Sequence, residues 1–295
     1  MSSEELNEYF KYVKEIIIGA GQTVIEGFEQ DDKNVETKGN IRFDLVTVFD
    51  RRVEDDFTTK IKQRYPDHQI IGEETWPANV TPKLTDTPTW IIDPIDGTIN
   101  YIKKIPFIGI SVALAIKGEI VIGIVYNPIT NQFYSAIKGE GSYLNGKRIY
   151  ATKNDDLRKA VIGNEISLAS IPFLHDRTIE RVRKLTEFGV LGFRSFGSAA
   201  ISLCNVADGS LDVYFTDGLK CWDVAAGVLI LEEAGGCAGN PNGKPFNMFS
   251  RVLLTAGNKV LLEKMVTILT ECDEKTIAKV RELISPELRS VLENL

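Results

Sequence analysis

Carboxylates carry the spacing that could do chemistry. In Trp90-Ile91-Ile92-Asp93-Pro94-Ile95-Asp96-Gly97-Thr98 an apolar run ends in Asp93, and Pro94 fixes the backbone and withdraws a donor. Asp96 follows three residues later, and Gly97 permits a tight bend or the close approach of a ligand. In a turn, or the first turn of a helix, side chains three apart lie side by side. Two carboxylates aimed at one point repel unless a cation sits between them, and hard oxygen ligands suit Mg²⁺. If a helix starts here, the amides of Gly97 and Thr98 are free to hold a phosphate oxygen. A plain turn with solvated aspartates uses the same residue types.

Three further clusters repeat the theme. Gly72-Glu73-Glu74 places carboxylates at the end of another apolar run, and Asp44 to Asp50 sets Asp50 near the start of a helix. Cys221-Trp222-Asp223-Val224-Ala225-Ala226-Gly227 opens a small-residue helix with Asp223 in its first turn. Taken singly, Asp50 and Asp223 also read as acidic residues favoured by a helix dipole or acting as caps.

The elements that must position these groups follow from periodicity. Leu6, Phe10, Val13, Ile17, Ala20, Val24 and Phe28 recur at helical spacing, and a second helix runs from about residue 47 until Pro66 stops it. Short apolar runs at 69–72 and 89–92, then β-rich runs at 108–116, 119–126 and 132–136 with turns at Lys117-Gly118 and Asn145-Gly146, predict a mostly antiparallel meander. Beyond residue 160 the pattern alternates: strands at 161–162, 211–215 and 251–256, and helices at 176–188, 197–206, 222–234 and 258–270. A helical tail over 274–295 is broken by Ser285-Pro286. The division is an α+β half, 1–150, with most of the acidic candidates, and an α/β half, 151–295, with Asp223 and the tail. A cleft between the two is the default place for a site.

The totals narrow the partners. A net charge of −7 over 295 residues leaves no footprint for nucleic acid or an anionic membrane. No apolar run approaches the ~20 residues of a membrane span, and the acidic start lacks a signal-peptide profile, so a cytoplasmic protein is expected. The four cysteines show no Cys-x-x-Cys spacing and are expected to be reduced thiols. His68 and His175 have no zinc-like partners.

At Gly72-Glu73-Glu74, Asp93-Pro94-Ile95-Asp96-Gly97-Thr98 and Trp222 to Gly227, supported by Asp44 to Asp50 and Gly197-Ser198-Ala199-Ala200, the chain resembles the inositol monophosphatase family of lithium-sensitive, Mg²⁺-dependent phosphatases. The likeness covers about residues 4–270 and implies a layered αβαβα sandwich of helices and sheets. It implies that Glu73, Asp93 and the Ile95 carbonyl hold one Mg²⁺, and that Asp93, Asp96 and Asp223 hold a second. An Asp50–Thr98 pair would orient the Thr98 hydroxyl toward the attacking water, and Glu73 would help activate that water. The Gly97 and Thr98 amides would hold the phosphate, and Gly197, Ser198 and Ala199 would lie beside the polyol. Li⁺ inhibition and a homodimer are further implications.

Two positions depart from the family pattern. Thr216 stands where the family commonly carries a Glu that hydrogen-bonds the inositol ring, with Asp217 next to it as a substitute if the loop shifts by one; Ile99 stands where Thr is usual. The expected activity is hydrolysis of inositol monophosphate, a small phosphate monoester. The alternatives are a related phosphatase acting on a sugar phosphate, histidinol phosphate or a nucleotide 3′-phosphate, and a non-catalytic scaffold relative.

Overall fold

The computed structural model describes residues 3–38, 45–77 and 80–283. The N-terminal elements are α1 (Ser3–Glu29), β1 (Glu36–Thr37), β2 (Leu45–Val46), α2 (Val48–Arg64), β3 (Gln69–Gly72), β4 (Thr89–Asp96) and α3 (Thr98–Ile102). A meander follows: β5 (Gly109–Ile116), β6 (Glu119–Asn127), β7 (Gln132–Ile137), β8 (Gly141–Leu144) and β9 (Lys147–Arg148). The rest comprises β10 (Val161–Asn164), α4 (Pro172–Phe188), β11 (Gly192–Arg194), α5 (Ala199–Ala207) and β12 (Val213–Asp217). After these come α6 (Cys221–Glu233), β13 (Cys237–Gly239), β14 (Val252–Ala256) and α7 (Lys259–Leu283).

Strands β3 to β9 form a seven-stranded sheet in sequence order, antiparallel except for the parallel β3–β4 pair. A five-stranded mixed sheet has the order β11-β10-β12-β14-β13. Three apolar clusters separate five layers. Val13, Ile17 and Val24 of α1 and Val53, Phe57 and Ile61 of α2 pack with Trp90, Ile92 and Val112 on one face of the large sheet. On its other face Ile91, Ala113 and Val125 meet α5 and α6, whose far side meets Tyr214 and Leu253 of the smaller sheet. That sheet's outer face, with Val213, Phe215 and Leu254, is covered by Leu185 of α4 and Leu261, Met265 and Leu269 of α7. The order is the expected αβαβα.

The sequence explains the central layer. A strand covered on both faces reads as an unbroken apolar run, which is why 89–92 shows no polar alternation. Helix α6 is enclosed on all sides, and nearly every residue of Cys221–Leu231 is buried. Small residues let it lie close to its neighbours: a Cβ on Gly123 of β6 would stand 2.6 Å from the Ala226 carbonyl oxygen. The Ser111 hydroxyl donates to the Trp222 carbonyl at 3.0 Å, tying β5 to the start of α6.

Three expectations change in detail. The first part of the tail, 274–283, is continuous with the preceding helix, because α7 runs unbroken through Glu271-Cys272-Asp273, where no Gly or Pro interrupts it. Gly197 lies outside α5 at φ 75°, and Ser198 caps that helix by accepting the Ile201 N–H at 3.2 Å. Strand β12 starts two residues late, so Thr216 and Asp217 belong to it. The Ser285-Pro286 break lies outside the described residues, as does Asp44. All four cysteines are free thiols.

Gly123→Ala drives a methyl into the α6 backbone and is expected to cost about 1–3 kcal/mol. Thermal denaturation should show Tm lowered by roughly 3–10 °C, whereas Gly118→Ala, a turn glycine whose Cβ position meets nothing within 4 Å, tests the separate cost of its φ of 79°.

Candidate active site

Four backbone devices bring the carboxylates together. Asp93 and Asp96 both lie on β4, where the pairing with β5 slips between them: Asp93 faces Ser111, and Asp96 faces Gly109. Where the sequence suggested a turn or a first helical turn, the structure has a bulged strand end, and the bulge re-aims the two side chains. Gly97 then adopts φ 90°, and helix α3 begins at Thr98. A Cβ on Gly97 would meet Phe107 O at 3.0 Å and Gly197 O at 3.1 Å, so both conformation and space require glycine.

Glu73 follows β3 in a turn held by a residue that no motif announced. Glu54 of α2 has no exposed surface, and its carboxylate accepts the N–H groups of Glu74 and Thr75, both at 2.9 Å. Gly72 makes room for it, since a Cβ there would stand 2.3 Å from the Glu54 carboxyl. Asp223 sits in the first turn of α6 and accepts the Lys220 N–H at 2.7 Å. Asp93 accepts the Ile95 N–H at 3.0 Å. Asp96 accepts the Ala200 N–H at 2.7 Å and the Ser198 hydroxyl, so the start of α5 orients it. Each aspartate is thus anchored by the backbone through at least one bond.

Glu73, Asp93 and Asp223 each offer an oxygen, and these oxygens lie within 4.8 Å of one another. Two full negative charges at that distance repel by roughly 3–4 kcal/mol at the effective dielectric of ~20 usual for protein sites. Burial first, then the charges of Glu73, Asp96 and Asp223, raise the Asp93 pKa well above its ordinary value. Asp223 is raised in the same way by burial, Glu73 and Asp96. Asp96 is pushed up to about 7, burial outweighing its bonds to Ser198 and Ala200. A set of hard oxygen donors that cannot all ionise alone fits a divalent cation. A monovalent cation already touches its rim: Lys38 Nζ lies 2.8 Å from Glu73 Oε1 and 2.7 Å from Glu74 Oε1. Burial opposes the Lys38 charge, yet the two glutamates hold its pKa above the usual lysine value. Burial, with Glu73 beside it, pushes Glu74 up to about 8.

The remaining sequence candidates are placed as follows. Thr98 sits at the start of α3, its hydroxyl donating to the Ile95 carbonyl at 3.3 Å. Asp50 accepts the Thr47 N–H at 2.9 Å and the Thr47 hydroxyl, closing the start of α2. Among the hydrogen bonds of the described residues none joins Asp50 to Thr98; both Thr47 bonds fall on one Asp50 oxygen, Oδ2. Gly197, Ser198 and Ala199 stand against Gly97 and Asp96, bringing the second half of the chain to the cluster. Asp217 does not replace the missing glutamate. Strand alternation turns it to the outer face of the small sheet, where Arg181 Nη1 lies at 3.0 Å and Arg177 Nη2 at 3.1 Å. Thr216, on the opposite face, is buried. Lys38, Glu54 and Glu74 were missed as functional groups; only Glu74, beside Glu73, carried a signal in the sequence.

The profile of the Inositol monophosphatase family matches residues 5–274. "Inositol monophosphatase 1" of Homo sapiens is 37% identical over 258 residues, covering 88% of this chain and 92% of the relative. The extragenic suppressor protein suhB of Bartonella henselae superposes with a TM-score of 0.80 at 27% identity, over 89% of this chain and 98% of that one. Staphylococcal IMPase-II bound to inositol monophosphate gives a TM-score of 0.77 at 26% identity, over 94% and 98% of the two chains. The same staphylococcal protein has also been solved with 2′AMP bound.

Stripped of divalent cations by EDTA, the protein should lose stability as pH rises. Asp50 (about 6), Asp96 (about 7) and Glu74 (about 8) are raised by burial, so the folded state keeps protons that the unfolded chain has released. That contribution is complete below the ordinary carboxylate values and disappears as pH climbs through 6 to 8. Saturating divalent cation, which binds the ionised groups, should flatten the fall. Tm measured against pH in both conditions checks this; a Tm in EDTA that rises across the window contradicts it.

Proposed function

The chain belongs to the inositol monophosphatase family, and on that premise we propose that it hydrolyses inositol monophosphate to inositol and phosphate with Mg²⁺. The observation that carries the proposal is the gathering of Glu73, Asp93 and Asp223 within 4.8 Å, with Asp96 beside them. Glu73, Asp93, Asp96, Asp223 and the Ile95 carbonyl would hold the Mg²⁺ ions. When bound, Mg²⁺ supplies Lewis-acid polarisation of the phosphate and a lowered pKa for water.

The chain's own groups account for the rest. Glu73, on a turn fixed by Glu54, is the carboxylate that takes up the proton of the attacking water. The Thr98 hydroxyl, 3.3 Å from the Ile95 carbonyl, orients that water. The Gly97 and Thr98 amides hold the phosphate at the start of α3, and Gly97 leaves the space for its approach. Gly197, Ser198 and Ala199 line the polyol side. Asp50 caps the start of α2 through Oδ2, and its other oxygen is the one that would pair with the Thr98 hydroxyl and orient it. No nucleophilic Cys, Ser or His is required, because water is the nucleophile.

A broader set of monoesters is the second reading, and one observation favours it. Asp217 is bound to Arg177 and Arg181, so Thr216 leaves the polyol side without the charged acceptor that the family pattern has there. Homodimeric assembly and inhibition by Li⁺ complete the proposal and rest on the family resemblance; a cytoplasmic place carries over the expectation from the sequence. Among the described residues no helix is long and apolar enough to cross a membrane.

A panel of phosphate monoesters assayed with and without Mg²⁺ tests class and specificity together. Release should require Mg²⁺ and be fastest on inositol monophosphates; equal turnover on every ester removes the inositol assignment. Asp223→Asn should lower kcat by about 100-fold or more, since an amide is a poor Mg²⁺ ligand. Millimolar Li⁺ should inhibit, and indifference to it counts against the family mechanism.

A further inference from the structure

The loop Ser195–Ser198 joins β11 to α5 and forms the wall of the site that faces Gly97. Two side chains from outside the acidic cluster grip it. On one side Asn100 of α3 donates from Nδ2 to the carbonyls of Phe196 at 2.6 Å and Phe107 at 2.8 Å. On the other side stands Glu165, the residue directly after β10. Its carboxylate accepts the Gly197 N–H at 3.1 Å and 3.3 Å from its two oxygens. It also accepts the Ser195 hydroxyl at 3.3 Å and the Tyr214 phenol at 3.5 Å. Ser195 in turn accepts the Ile166 N–H at 3.3 Å, closing a short network around the loop.

No step of the proposed chemistry uses Glu165. Burial nonetheless opposes its charge, and the Gly197, Ser195 and Tyr214 donors work against that penalty. Gly197 sits at φ 75°, in a region where glycine has many alternatives, so an outside acceptor on its N–H restricts the loop. The next residue, Ser198, donates to Asp96 and caps α5, whose Ala200 N–H binds the same Asp96 oxygen. A continuous set of bonded residues therefore leads from Glu165 through Gly197 and Ser198 to a carboxylate of the cluster.

We propose that Glu165 is a positioning residue: by holding the Gly197 amide it fixes the Ser195–Ser198 loop and, through Ser198, the orientation of Asp96 toward the cation site. This rests on the cluster being a divalent cation site. The required property is hydrogen-bond acceptance at the Gly197 amide, not negative charge at the substrate. A glutamine can supply it, because its amide oxygen takes the Gly197 N–H while its NH₂ donates to the Tyr214 oxygen.

The test titrates full-length wild type, Glu165→Ala and Glu165→Gln with Mg²⁺ by calorimetry without substrate, alongside kcat, KM and Tm. Glu165→Ala should weaken Mg²⁺ binding by about 10-fold, within the range usual for groups that orient metal ligands. It should raise KM severalfold while Tm moves by no more than about 2 °C. Glu165→Gln should restore both affinity and KM to near wild type. If Glu165→Ala binds Mg²⁺ as wild type does, the inference fails alone. Equal damage in both variants overturns it, because charge and not loop geometry would then be the active property. Loss of affinity only in step with a large fall in Tm overturns it as well. Wild type that binds no Mg²⁺ overturns the cation site itself, and this inference with it.

Discussion

The mutual repulsion of carboxylates held at close quarters governs this structure. Glu73, Asp93 and Asp223 come from a turn after β3, the bulged end of β4 and the first turn of α6, and Asp96 joins them from the same bulge. Left to themselves, flexible side chains would spread and solvate. Here the backbone anchors prevent it: Ile95, Lys220 and Ala200 N–H groups hold the aspartates, and Glu54 holds the turn of Glu73. The fold stores an unfavourable arrangement of like charge that protons relieve partly and a divalent cation relieves better.

The five layers make that arrangement possible. Helices α5 and α6 lie between the two sheets, and both point their N-terminal ends at the end of β4. Helix starts tolerate negative charge, so the central layer supplies both packing for two sheets and a favourable setting for Asp96 and Asp223. Close approach depends on small side chains in α6 and on Gly123 opposite them. Packing and chemistry are therefore coupled through the same helix.

Much of this was legible in the chain. Trp90 to Ile92 reads as a short apolar run ending in an acid, Asp50 as lying near a helix start, and the acidic clusters as Mg²⁺ ligands through the resemblance that their ordered motifs carry. The remainder depends on contacts that no local pattern encodes. Asp93 and Asp96 are three apart, which suits a helical turn and a bulged strand end alike; only pairing with β5 decides. Glu54 reads as a solvent-facing helix residue until Gly72 is seen against it. Lys38 lies 35 residues from Glu73. Strands Gly192–Arg194 and Cys237–Gly239 are too short to show alternation and exist through their neighbours. The fate of Asp217 was equally hidden, because its arginines come from α4.

Crystals grown with Mn²⁺ in place of Mg²⁺ offer the most direct measurement, since anomalous scattering locates the ion independently of any assay. The account predicts anomalous peaks among the oxygens of Glu73, Asp93, Asp96 and Asp223, with Lys38 displaced from Glu73. A difference map at saturating Mn²⁺ with no peak there, and the Lys38–Glu73 pair intact, would contradict it.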